Sequence, residues 1–349
     1  MTNTYLDVDA LLGFSLPRNT IQDQARLAAL SQGIFKSAKP GRQVSYLSSG
    51  LLLIIGPAST ALSVANELAA PITPLILATD FRAILTPTPT GCTTHKLAGR
   101  EVPVFHGSPL AISGHLGAFT VHVRQDGRKV DLAKKLRPAS SGIDLILDLG
   151  RNPIIHRERL PDGYFATGGD SKRLYRALKD IPKLIGPFHK PVYVHYEPGI
   201  CAHEEKGIAG CTRCLDVCPA GALKSVAGRI EVDPHLCQGT GTCVMVCPTG
   251  AMRYGVPDLG QTLDSLRRVI ATFRAQTAVP PSVLLFGRGQ VASQLADQVE
   301  VLPEEVIPWR MEEVGSTGLE LWLSMIAYGA DTVFILTPDE LPPATTAAL

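Results

Sequence analysis

Apolar and polar positions change period along the chain, and each change marks an element. Residues 21–32 carry apolar positions at helical spacing within an otherwise mixed, polar segment 1–47. Residues 51–55 form a continuous apolar run, the signature of a buried strand. Helical spacing over 59–68 and a second apolar run at 74–78 complete a β-α-β pattern. The Thr- and Pro-rich stretch 82–105 reads as loop. Alternation over 119–124 and 129–132, around the turn pair Asp126-Gly127, predicts a hairpin. Residues 143–149 read as a further strand and 171–185 as a helix. Beyond 257 the pattern alternates helix and strand. Helices are predicted at 263–276, 291–299 and 318–328, and strands at 283–286, 306–309 and 332–336, a small α/β layer. The final PPATTAAL reads as a frayed end.

Charge and composition then narrow the function classes. The 349 residues are 45% hydrophobic, enough to bury cores in two or three domains. With 33 basic and 32 acidic residues the net charge is +1, which offers no electrostatic footprint for nucleic acid or an anionic membrane. The start, MTNTYLDVDALLGF, lacks the basic, apolar and small-residue segments of a signal peptide. The most apolar stretch, 51–70, is interrupted by Gly56, Pro57, Asn66 and Glu67, so no membrane insertion is expected. A cytoplasmic protein is the expectation, and in that compartment cysteines seldom form disulfides.

Seven of the eight cysteines lie between Cys201 and Cys247. They read Cys201-x9-Cys211-x2-Cys214-x3-Cys218-Pro219, then Cys237-x5-Cys243-x3-Cys247-Pro248. Two runs, each closed by Cys-Pro, mark a two-cluster ferredoxin module. Cys218-Pro-Ala-Gly-Ala recurs as Cys247-Pro-Thr-Gly-Ala, an internal repeat. Thiolates are soft, anionic ligands suited to iron–sulfur clusters. In such modules the cysteine before proline ligates the other cluster. Cys201, Cys211, Cys214 and Cys247 would then hold one 4Fe-4S cluster, and Cys218, Cys237 and Cys243 the second. A regular run would place cysteine at 240, where this chain has Thr240. A neutral hydroxyl is a poor ligand for such iron, so the second site is expected to hold a 3Fe-4S cluster or a 4Fe-4S cluster with one labile iron. The long spacing before Cys211 leaves His203, Glu204 or Glu205 as alternatives to Cys201. Zinc and disulfides are the other readings of the cysteines. Only Cys211-x2-Cys214 is a zinc-type pair, and neither reading accounts for the repeated Cys-Pro.

These motifs resemble a bacterial-type two-cluster ferredoxin domain over 192–254. CAHEEKGIAGCTRCLDVCPAGAL and CQGTGTCVMVCPTGA are similar to long multidomain bacterial 4Fe-4S ferredoxin-like proteins. The flanks SYLSSGLLLIIGP and VIPWRMEEVGSTGLELWLSMIAYGA resemble that family more loosely. The resemblance implies Rossmann-like α/β segments flanking a two-cluster ferredoxin-like (α+β) module. It also implies a redox partner of the formate dehydrogenase type. This chain departs from the family at Thr240. The segment 283–336 faintly resembles the small delta subunit of methyl-viologen-reducing hydrogenases, without its cysteines. The expected organisation is an N-terminal segment 1–47, an α/β domain 48–190, the module 191–256 and a C-terminal α/β domain 257–349.

Two further sites carry partial motifs. Gly56, Ala58 and Ala61 stand between a strand and a helix, and Asp80 ends the next strand, the layout of a flavin or NAD(P) fingerprint. The match is incomplete, because Ala58 replaces a glycine and Pro57 removes a donor. An ordinary β-α-β turn is the plain alternative. Gly287, Gly289 and Ala292 repeat the pattern, with Arg288 as a candidate phosphate contact or a solvated loop residue. Cys92 near His95, and His106, His115, His122, His156 and His195, read as ordinary packed or hydrogen-bonded residues. Arg213 and Lys206 place positive charge beside the first cluster. The expected function is electron transfer through two clusters, by a carrier rather than a stand-alone enzyme. The alternatives are a flavin- or NAD(P)-linked oxidoreductase that uses the clusters as a relay, and a redox-sensing or maturation partner of a molybdenum enzyme.

Overall fold

The computed structural model describes residues 8–10, 12–33, 41–80, 92–125, 127–136, 142–203, 210–338, 341 and 343–348. They form two compact units, one of residues 44–190 and one of 1–43 together with 191–349. The second unit includes α1 (Ile21–Gly33), with Val8, Leu12 and Leu16 of the preceding segment in its core, and resumes after residue 190.

In the 44–190 unit, β1 (Gln43–Ser48) pairs with β11 (Gly186–Pro191). The main sheet is built from β2 (Leu51–Gly56), β3 (Thr73–Ala78), β4 (Cys92–Leu97), β5 (Arg100–His106), β9 (Leu145–Asp148) and β10 (Tyr164–Ala166). Its order is β10-β9-β2-β3-β5-β4, with only β4 antiparallel. β2, β3 and β9 are almost wholly buried, as parallel strands covered on both faces must be. α2 (Ala58–Glu67) follows β2, and α4 (Ser171–Asp180) is capped by Asp170, which accepts from the Lys172 N–H at 2.8 Å. β6 (Ser108–Ser113), β7 (Thr120–Gln125) and β8 (Arg128–Asp131) form a separate antiparallel sheet, followed by α3 (Leu132–Leu136). The predicted 119–132 hairpin is β7–β8; its Asp126 lies outside the described residues.

The stretch read as loop at 82–105 instead holds β4 and β5, while 81–91 lie outside the described residues. The turn between these strands uses Ala98 and Gly99 at φ +47° and +78°, the geometry that joins twisted antiparallel strands. Thr93 and Thr94 lie on β4, the edge strand, and Pro103 precedes the residues Val104–His106 through which β5 pairs with β3.

The cysteine-bearing part of the other unit places β12 (Val194–Tyr196) against β15 (Met252–Tyr254). β13 (Leu223–Val226) and β14 (Arg229–Val232) form a hairpin between the two cysteine runs. α5 (Arg213–Asp216) and α6 (Thr242–Met245) are single turns, each preceding a Cys-Pro. α7 (Leu259–Thr277) leads into a parallel sheet of order β17-β16-β18, from β16 (Ser282–Phe286), β17 (Val306–Arg310) and β18 (Val333–Leu336). α8 (Gln290–Asp297) and α9 (Leu319–Ala327) connect these strands. One core joins Leu27, Leu30, Val269, Phe273, Ile307 and Trp309, so α1 packs with the C-terminal layer. The segments read as separate at 1–47, 191–256 and 257–349 therefore share one unit, apart from residues 44–47. The tail read as frayed forms α10 (Pro343–Ala348), which buries Thr345.

Candidate iron–sulfur centre

The seven clustered cysteines sort into two groups. Burial, then the nearby thiols of Cys247, Cys201 and Cys211, pushes the Cys214 thiol up to about 11. Burial, then Cys237, Cys218 and Cys214, pushes the Cys243 thiol far above its ordinary value. Cys214 and Cys243 sit at equivalent places on α5 and α6 and are buried, so the two groups adjoin. The cysteine before each proline faces the other run's thiols, as a cluster-exchanging repeat requires.

Cys201 reaches its group although nine residues separate it from Cys211. The Cys211 N–H donates to the Ala202 carbonyl at 2.9 Å and closes the loop at its base. His203 braces that closure: Nδ1 lies 2.9 Å from the Cys211 carbonyl and Nε2 lies 2.7 Å from the Ser225 hydroxyl. With both ring nitrogens engaged, His203 is not positioned as a substitute ligand. Glu204, Glu205 and Lys206 lie outside the described residues.

Donors point at the sulfurs. The N–H groups of His203, Ala222 and Met252 donate to Cys201, Cys218 and Cys247 at 3.4, 3.3 and 3.4 Å. The Thr249 hydroxyl lies 3.7 Å from Cys247 Sγ. Burial alone would raise the Cys247 thiol, but the N–H groups of Met252, Thr249 and Ala251 and the Thr249 hydroxyl together bring it below its ordinary value. The Tyr196 hydroxyl lies beside Cys201, and burial, then that neighbour, pushes Tyr196 up to about 12. Tyr196 and Thr249 escaped the sequence reading, although aligning the repeats sets Thr249 against Ala220.

Thr240 lines a small cavity together with Cys218, Cys237 and Cys243, the position a fourth ligand would take. Cys247 lies instead on the wall of an open groove of about 1390 Å³, shared with Arg213, Arg253, Leu259, Leu319 and Leu323. Arg213 thus stands beside the first thiol group, as its place in the sequence suggested.

Residues 208–251 match the 4Fe-4S dicluster domain family. The chain therefore carries a 4Fe-4S ferredoxin-like module, which supports an iron–sulfur electron-transfer role. A search of curated proteins finds no match to the chain. Among the described residues, no three His, Cys, Asp or Glu side chains are grouped closely enough to hold a single metal ion. A zinc ion would need its sulfurs about 2.3 Å from one point, whereas a cluster gives each thiolate its own iron. The donor set therefore fits clusters. Among the described residues, no helix is long and apolar enough to cross a membrane.

The remaining sequence candidates are arranged differently. At the β2–α2 turn the Ala58 N–H donates to Asp80 Oδ1 at 2.8 Å. That carboxylate stands at the helix N-terminus, where a pyrophosphate would have to bind. A Cβ on Gly56 would come within 2.9 Å of Leu149, so the approach a dinucleotide needs is filled by a side chain. Ala58 and Ala61 are buried and pack in the core. Gly289 precedes α8, and Arg288 pairs with Glu312 at 2.6 Å. Cys92 lies on β4, and burial raises its thiol, so it is not an activated nucleophile.

Proposed function

We propose that this chain is a one-electron carrier with two iron–sulfur clusters. Cys201, Cys211, Cys214 and Cys247 hold a 4Fe-4S cluster. Cys218, Cys237 and Cys243 hold a second cluster, either 3Fe-4S or 4Fe-4S with a labile iron at Thr240. The observation that carries this reading is the sorting of the thiols into a four and a three that exchange the Cys-Pro cysteines. When bound, the clusters supply reversible one-electron chemistry. The protein's residues hold them, aim N–H and O–H donors at sulfur, and exclude water by burying Cys214 and Cys243. The groove along Cys247 gives a partner close access to the first cluster, with Arg213 and Arg253 on its wall. The partner is a redox protein, and the family resemblance suggests an enzyme of the formate dehydrogenase type in the cytoplasm.

We read the 44–190 sheet as Rossmann-like, because its chain order reverses between β2 and β9. That observation alone favours a flavin- or NAD(P)-linked oxidoreductase. Asp80 at the helix N-terminus and Leu149 over Gly56 weigh against it.

Anaerobic purification followed by iron and sulfide analysis, with EPR before and after dithionite, tests the carrier reading. The expected result is about seven irons per chain with an oxidised-state three-iron signal, or about eight with reduced-state signals only. About four irons would mean that the second site is empty, and the two-cluster reading would fail. The Thr240→Cys variant is expected to raise iron content and give a stable 4Fe-4S second site.

A further inference from the structure

We propose that the C-terminal layer clamps the Thr240 corner and thereby fixes the second site at three irons. This rests on the two-cluster reading above and chooses between the two forms it leaves for that site.

The segment 239–242 is pinned on three sides. The Tyr254 hydroxyl donates to the Gly239 carbonyl at 2.8 Å, and a Cβ on Gly239 would lie 2.7 Å from the Tyr193 ring. The backbone at Gly315 also packs closely against the backbone of 240–242. A Cβ on Gly315 would collide with the Thr240 carbonyl, and one on Gly241 would collide with Gly315 and Ser316. Gly239 and Gly241 also hold φ at +73° and +77°, a region glycine adopts most readily. On the third side, the buried Thr242 and Thr345 hydroxyls lie 2.9 Å apart and tie α6 to α10.

The chemistry at this corner is sparse. The cavity is lined by three thiols and one threonine, with no carboxylate or imidazole among its lining residues. A fourth iron would need a further donor, and the neutral Thr240 hydroxyl is a poor one. The interlocked glycines stop the loop from moving to bring one in or to admit an external one. The corner is thus covered by a different layer from the one that carries the thiols, and the second site holds its three irons without gaining a fourth.

The test offers ferrous ion to the dithionite-reduced whole protein. Conversion would first reduce the oxidised three-iron cluster by one electron from dithionite. It would then bind one ferrous ion between the existing sulfides, which displace that many of its water ligands, giving a 4Fe-4S cluster of charge 2+. Three-iron EPR after reoxidation, and iron per chain, report the outcome. The native protein is expected to retain its three-iron signal, and Thr240→Cys, with its fourth thiolate, is expected to show none before or after iron addition. Gly315→Val, which forces the two backbones apart, is expected to lose most of the signal on iron addition. Loss of the three-iron signal from the native protein, with a gain of about one iron per chain, would overturn the proposal. So would a Gly315→Val protein that keeps both clusters and captures no iron. If Gly315→Val fails to assemble its second cluster, Thr345→Val, which removes only the hydroxyl tie, is read by the same criteria. No three-iron signal in the protein as purified, with about eight irons present, would overturn the three-iron assignment while leaving two clusters. About four irons would instead overturn the parent reading.

Discussion

Sulfur hydrogen bonds set how easily each cluster takes an electron, because a donor to a thiolate stabilises the more negative, reduced state. Cys247 receives the Met252 N–H at 3.4 Å and faces the Thr249 hydroxyl at 3.7 Å. Cys201 receives the His203 N–H at 3.4 Å and has the Tyr196 hydroxyl beside it. Both hydroxyls serve the first thiol group. A hydrogen bond worth about 1 kcal/mol corresponds to about 40 mV for one electron. Thr249→Ala and Tyr196→Phe are each expected to lower the first cluster's potential by roughly that amount and leave the second unchanged, as read by potentiometric EPR titration. Equal shifts in both clusters would point to a general structural effect instead. The cysteines were legible in the sequence because ligand spacing follows directly from cluster chemistry. The hydroxyls were not, because Tyr196 approaches Cys201 only once β12 has paired with β15.

Elements join through contacts that local pattern does not encode. The helical period over 21–32 predicts α1 well, since Leu27, Ala29 and Leu30 turn inward. Nothing in that period reveals that the partners lie in the C-terminal layer. The fully buried Arg26 makes the connection. Its guanidinium pairs with Asp23 at 2.7 Å and donates to the carbonyls of Pro303 at 3.0 Å and Val306 at 3.3 Å. Arg26→Ala would leave a buried carboxylate without its cation and two carbonyls without this donor. The expected cost is about 3 kcal/mol, visible as a lower denaturation midpoint at unchanged slope. A loss under about 0.5 kcal/mol, the usual surface value, would show that the pair is not structurally required. The same limit explains the misread 82–105 and tail segments. An edge hairpin rich in threonine and a six-residue helix take their order from neighbours rather than from hydrophobic period.

At the scale of the whole molecule, the 44–190 unit is an insertion whose ends meet. β1 and β11 are hydrogen-bonded neighbours, and the Val192 N–H donates to the Arg42 carbonyl at 2.7 Å. The unit buries two clusters of its own, one on each face of its sheet, led by Leu52, Ile54 and Ile76 on one side and Leu53, Leu77 and Phe119 on the other. None of the seven clustered cysteines lies within it. The other unit draws its large core from 1–43 and the C-terminal layer, and its small core from residues around the cysteines. Cluster binding should therefore survive removal of the insertion. With 44–190 replaced by a Gly/Ser turn of about four residues, the remaining chain is expected to keep the iron content and EPR signals of the full protein. The excised 44–190 chain is expected to unfold cooperatively and carry no iron. Loss of both clusters from the shortened, still folded chain would show that the α/β unit helps to assemble the centres. That outcome would reopen the maturation-partner reading.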